Sequence, residues 1–196
     1  MECDERISMN SICVFCSSSN SIDDIYVETA TDLGHRIGQL GLDLVYGGAS
    51  IGLMGAVARA THEKGGRVVG VIPEFFRKKN MNIEYVEADE LIVAKTMRIR
   101  KTIMTERADA FLVLPGGIGT LEEAIEVLSM KQLGLTDKPL VFINTNNFYT
   151  DLISIFQKMI DLGFAKPSNL ELFSVCSDPL SAIQFALSYQ PKKIAN

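Results

Sequence analysis

Short apolar runs alternate with longer amphipathic stretches along almost the whole chain. The runs fall at Ser11 to Cys16, Leu42 to Tyr46, Val68 to Ile72, Leu91 to Ala94, Ala110 to Leu114 and Leu140 to Ile143. Each is four to six residues long and rich in Val, Ile and Leu, the composition of strands buried on both faces. Helix-like segments separate most of them. Between Ser21 and Leu40, the positions Ile22, Ile25, Tyr26, Thr29, Leu33, Ile37 and Leu40 follow a repeat of about 3.6 residues on one face, and Gly41 supplies the stop. A second amphipathic stretch runs from Phe148 to Leu162, with Leu152, Ile153, Phe156, Met159 and Ile160 as its stripe and Gly163 closing it.

Strands alternating with helices predict a parallel sheet with helices on both faces, an α/β fold of the Rossmann-like, doubly wound kind. The pattern begins at residue 11 and fades near 190, so residues 1–10 and 191–196 read as tails around one domain. Pro73 to Asp89 carries mixed charge, paired Phe75 and Phe76 and little periodicity; it reads as a long loop, following the third strand on the ligand side. That placement makes it the candidate for selecting part of a ligand.

A chain of 196 residues, 47% hydrophobic, suffices for one full core. A formal charge of -5 argues against broad attraction to nucleic acid or anionic membrane, so small molecules are the expected partners. No apolar run approaches the ~20 residues of a membrane span, and early acids stand where a secretory signal carries bases, which gives an expectation of a cytoplasmic protein. Cys3, Cys13, Cys16 and Cys176 are too dispersed for a ligand knuckle and read as reduced thiols. His35 and His62 lie in helical stretches and read as packing residues. No metal and no organic cofactor is expected.

The chemistry concentrates at two glycine turns. YGGASIGLMG follows the second strand and PGGIGTLEE follows the fifth, each opening a helix. Strand-to-helix turns of a parallel sheet gather at the carboxyl ends of the strands, where ligands bind near the switch in strand order. Glycine lets backbone amides approach an anion, and the next helix aims its free N–H groups at the same point. Gly47 and Gly48 in the first turn, with Pro115, Gly116, Gly117, Gly119 and Thr120 in the second, are therefore candidates for holding a phosphate. A third turn, CSSSN, offers Ser17 and Ser18 either as phosphate donors or as helix caps. Neither GxxxxGK[ST] nor a GxGxxG turn after the first strand is present, which weakens triphosphate hydrolysis and hydride transfer.

PGGIGTLEE resembles the PGGxGTxxE signature of the LONELY GUY (LOG) phosphoribohydrolases, a family formerly labelled possible lysine decarboxylases. MRIRK at Met97 to Lys101 resembles the short helix motif of that family, and YGGASIGLMG its GGGxxGLMG turn; the likeness spans roughly residues 11 to 180. The resemblance implies a homodimer that cleaves the N-glycosidic bond of a purine nucleoside 5′-monophosphate, releasing base and ribose 5-phosphate. In cytokinin-making members the adenine bears an isoprenoid substituent. Arg100 and Glu123 would be the catalytic pair, with Met97, Arg98 and Lys101 beside the substrate. Three positions depart from the pattern: Ala49 for a third glycine, Ser17 for the glycine of CGSS, and Arg98-Ile99 for a His-Glu pair.

From spacing alone, Thr120 and Glu123 also fit a capping box, in which the Glu merely satisfies a backbone amide. In the catalytic role, a carboxylate beside the sugar stabilises an oxocarbenium-like transition state. A non-catalytic nucleotide or cofactor carrier of the same fold is the alternative to an enzyme. Amino-acid decarboxylation would need a Schiff-base lysine with its supporting acid, a constellation not evident in the sequence.

Overall fold

The computed structural model describes residues 9–79 and 81–191; Cys3 and most of the two tails read from the sequence lie outside them. Seven parallel strands form one sheet: β1 (Ser11–Phe15), β2 (Asp43–Tyr46), β3 (Val68–Pro73), β4 (Glu90–Ala94), β5 (Ala110–Val113), β6 (Leu140–Ile143) and β7 (Ser174–Cys176). Their order is β4-β3-β2-β1-β5-β6-β7. The chain winds outward from β1 to one edge, returns beside β1 and winds to the other. The switch in strand order therefore lies between β1 and β5, and a crevice opens there at the carboxyl ends.

The helices are α1 (Asp24–Gln39), α2 (Gly52–Glu63), α3 (Glu74–Lys78), α4 (Met97–Glu106), α5 (Ile118–Gln132), α6 (Thr150–Asp161) and α7 (Pro179–Ser188). Side chains alternate across the sheet, so β1 sends Ile12 and Val14, followed by Cys16 just past its end, to one face and Cys13 and Phe15 to the other. On the first face Leu33 and Ile37 of α1, Leu53 and Val57 of α2, and Ala182 and Ile183 of α7 close the core. Met104 of α4, Ala124 and Val127 of α5, and the partly buried Leu152 and Phe156 of α6 close the second. Two cores back to back explain the continuous apolar strands.

All six expected strands are present, and the doubly wound, single-domain architecture holds. Two details differ. The edge strand β7 was not expected: three half-exposed residues make no apolar run. The segment after β3 is not wholly loop, because Glu74–Lys78 forms one short helix with no buried residue, too brief to leave a periodicity.

Candidate active site

The strand-to-helix corners carry the site, and local sequence shapes each one. After β1, Cys16 is buried and the chain turns through Ser17 to Asn20. The Ser17 hydroxyl accepts from the Ser19 amide (3.1 Å) and the Ser17 carbonyl accepts from the Met54 amide (3.2 Å). Ser17 thus braces the turn while standing at its rim, and Ser18 is exposed. Helix capping at this corner falls to Asn20, whose Oδ1 accepts from the Gly52 amide at the start of α2 (2.8 Å). Within CSSSN the serines are the locally evident caps; a cap that reaches across 32 residues has no local signature.

After β5, Gly117 is the N-cap of α5, and the first intrahelical bond runs from the Leu121 amide to its carbonyl (3.1 Å). The first-turn amides of Ile118, Gly119 and Thr120 therefore point out of the helix toward the crevice, where helix and dipole favour an anion. A Cβ on Gly116 would lie 2.1 Å from Thr120 Oγ1, so this glycine is needed for the turn to fold onto buried Thr120. A Cβ on Gly117 or Gly119 would meet nothing within 4 Å. The Tyr149 hydroxyl donates to the Leu114 carbonyl (2.7 Å), fixing the strand end just before Pro115. A cleft of about 190 Å³ adjoins this corner, walled by Ser17, Tyr26, Leu53, Gly116 and Phe148 among others.

Thr96 caps α4 by accepting from the Ile99 amide (3.2 Å), and that start turns Arg100 inward. Its Nε donates to the Val71 carbonyl (2.9 Å) and its Nη1 to Glu123 Oε1 (2.5 Å). Both side chains are only 6% exposed. The remaining nitrogen, Nη2, lies where a Cβ on Gly47 would sit 2.4 Å away, which is why the β2 corner needs glycine there. Arg100 thus spans from Val71 in β3 across the β2 corner to α5. Glu123 stands on the second turn of α5, with Gly117 as N-cap, so the capping-box reading of Thr120 and Glu123 does not hold: Glu123 binds a guanidinium.

Burial pushes the Glu123 carboxyl above its ordinary range, with the Arg100 charge pulling the other way. Cys13 and Cys16 lie near enough to feel both charges; burial first and Glu123 second hold their thiols protonated, unsuited to nucleophilic work.

The remaining expected site residues distribute around this pair. Lys101 is held by Glu122 and by Glu126 (2.8 Å), forming an ion-pair cluster between α4 and α5. Met97 and Arg98 are exposed on the first turn of α4, and Arg98 has no ion-pair partner among the described residues. Gly48 adopts a left-handed φ of 77°, and its carbonyl accepts from the Tyr85 amide (2.9 Å). The Ser50 amide donates to the Ile83 carbonyl (2.7 Å), and Ala49 bridges Glu84 in antiparallel fashion. Part of the Pro73 to Asp89 segment therefore pins the β2 corner. The β2 and β5 corners flank the β1 corner rather than adjoin, and Arg100 closes the gap on the α4 and α5 face.

His35 pairs with Glu63 (2.8 Å), and His62 bridges the Tyr85 hydroxyl and Asp89 (2.9 Å each); both join elements rather than face Glu123. Among the described residues no group of three or more His, Cys, Asp or Glu side chains is placed to hold a metal.

A family model described as possible lysine decarboxylase matches residues 54–185, from the start of α2 into α7, and so includes the α4 and α5 motifs. The chain is 41% identical over 180 residues to the cytokinin riboside 5′-monophosphate phosphoribohydrolase LOG5 of Arabidopsis thaliana, covering 92% of this chain and 78% of that protein. The chain belongs to the LOG family. A further LOG relative, the probable cytokinin riboside 5′-monophosphate phosphoribohydrolase LOGL2 of Oryza sativa subsp. japonica, is 39% identical over 181 residues, covering 92% of this chain and 73% of that one. Among solved structures, the LOG-type sheet superposes on the molybdenum cofactor binding protein of Rippkaea orientalis with a TM-score of 0.68. That likeness spans 91% of this chain and 96% of the other at 21% identity, a shared fold.

Proposed function

We propose that this protein hydrolyses the N-glycosidic bond of a purine nucleoside 5′-monophosphate, of the cytokinin riboside or AMP type, to free base and ribose 5-phosphate. The observation that carries the reading is the buried Arg100 and Glu123 pair, set beside a helix N-terminus whose amides face the crevice. The substrate phosphate takes the amides of Ile118, Gly119 and Thr120, with the Ser17 hydroxyl at the rim. Its ribose then lies toward Glu123. As the bond from C1′ to the base nitrogen breaks, positive charge grows on the sugar, and the Glu123 carboxylate stabilises it and takes a proton from the attacking water. That proton can return to the departing base, so one water is consumed and no other reactant is needed. Arg100 holds the carboxylate in one orientation through Nη1 while Val71 holds Arg100.

The same reading includes a homodimer. Met97 and Ile99 of α4 with Ile118 and Ile125 of α5 are 36% to 88% exposed beside the pair, an apolar surface suited to a second copy. The activity is tested by incubating the protein with AMP and isopentenyl-substituted AMP and following base release by chromatography. Base appears with the wild type and not with Glu123→Ala. Tight nucleotide binding without turnover, indifferent to that substitution, would replace the enzyme with a carrier.

A further inference from the structure

The apolar side of α6 is wider than the core covers. Leu152, Ile153 and Phe156 pack against the sheet side, yet no residue of this helix is fully buried. Beside that stripe runs a second one at the spacing i, i+4, i+7: Ile155, Met159 and Leu162, which are 50%, 41% and 62% exposed. The end of the helix extends it. Gly163 takes a left-handed φ of 78°, its amide donates to the Ile160 carbonyl (2.9 Å), and the Phe164 amide donates to the Met159 carbonyl (2.7 Å). These paired bonds turn the chain back on the last helical turn and hold Phe164, 83% exposed, next to Met159. Four large apolar side chains thus stand in fixed positions on one element, a surface that a lone copy leaves in water.

The charges beside the strip decide which partner fits. On the side away from the core it is bordered by Asp151 and Lys158, seven residues apart and therefore within about 20° of each other around the helix and about 10 Å apart along it. Both are exposed and neither has an ion-pair partner among the described residues, whereas Gln157 binds Asp161 (2.8 Å) on the next flank. A second α6 laid antiparallel across the strip, with a two-fold axis passing at Ile155, puts each Asp151 beside the Lys158 of the other copy, and the same contact is made twice. A parallel pairing sets Asp151 level with Asp151 and Lys158 level with Lys158, opposing like charges. Opposite charges placed symmetrically about the middle of an apolar strip complement their own copy.

We propose that this face of α6 is an interface with a second copy of the chain, antiparallel about Ile155. It is separate from the α4 and α5 surface of the homodimer reading, and the two together make a dimer of dimers. The interface stands apart from the catalytic reading and is tested without it. Sedimentation of the full chain is followed over a range of concentrations for wild type, Ile155→Asp, Lys158→Asp and the exchange of Asp151→Lys with Lys158→Asp, with a thermal melt of each as the check on folding. All three positions are exposed, so melting stays within a few degrees of wild type. Wild type reaches twice the mass of Ile155→Asp. Lys158→Asp associates only at about tenfold higher concentration, since like charges then meet at both crossings, and the exchange restores the wild-type curve. A wild type no heavier than Ile155→Asp at any concentration overturns the interface. A Lys158→Asp curve that matches wild type, or one that the exchange leaves uncorrected, overturns the antiparallel pairing.

Discussion

Replacing Gly47 with Ala puts one methyl group against the Arg100 guanidinium. The added Cβ would stand 2.4 Å from Arg100 Nη2, 2.8 Å from Met54 Cε and 2.9 Å from Met54 Sδ. Met54 is the far end of a flexible side chain and can swing away. Arg100 cannot retreat as freely, because Val71 and Glu123 hold two of its other nitrogens at 2.9 Å and 2.5 Å. Restoring an ordinary contact of 3.4 Å from 2.4 Å needs a shift of about 1 Å. A misplacement of that size costs about 10²-fold in rate, or ~2.7 kcal/mol on the barrier. Gly47 has no left-handed φ, so Ala adds no backbone strain. The assay pairs kcat/KM for base release with a thermal melt: kcat/KM falls about 100-fold while the melting temperature moves by only a few degrees. The double variant with Met54→Ala stays impaired, since relieving the thioether leaves the guanidinium displaced. Activity within about threefold of wild type, or full recovery on removing Met54, would refute the idea that this glycine exists to admit Arg100.

Other outcomes follow from the same geometry. Glu123→Gln keeps the shape of the pair but loses the charge, so turnover drops at least ~10²-fold, checked by single-turnover base release. Because burial raises the Glu123 pKa and the proposed reaction uses the ionised form, kcat/KM is expected to fall on the acidic side at a pH above the ordinary carboxylate range, and the Gln variant to lose that limb. By the same sign, the contribution of this group to folding stability is full below its unfolded pKa and declines as pH rises through the folded one. Gly116→Ala drives a methyl into Thr120 and lowers the melting temperature, whereas Gly117→Ala meets no protein atom and instead raises KM by crowding the phosphate, separable by melting and kinetics side by side.

Much of this was legible in the chain and some was not, for reasons that lie in the physics. Strands buried on both faces announce themselves, which is why β1 to β6 could be read from apolar runs. β7 is an edge strand with its middle residue exposed, and it leaves no such trace. The partnership of Arg100 with Glu123 came from motif resemblance, since spacing alone equally suits a helix cap; only the position of Gly117 as N-cap separates the two. What supports the pair was out of reach. The Val71 carbonyl is a backbone atom and carries no residue signature, and Tyr149 acts through the Leu114 carbonyl from 35 positions away. The segment from Ile83 to Tyr85 looked like featureless loop because its order comes from bonds to the β2 corner.

The crossbar formed by Arg100 has a bearing on how the molecule fails. It is hydrogen-bonded to two parts of the chain that lie far apart in sequence, at Val71 and Glu123, and packs against a third at Gly47, just past the end of β2. Slight parting of β2 from β3, well short of melting, is enough to let the guanidinium slip. Warming such a protein should silence its chemistry some degrees before its helices dissolve, and cooling should bring both back together.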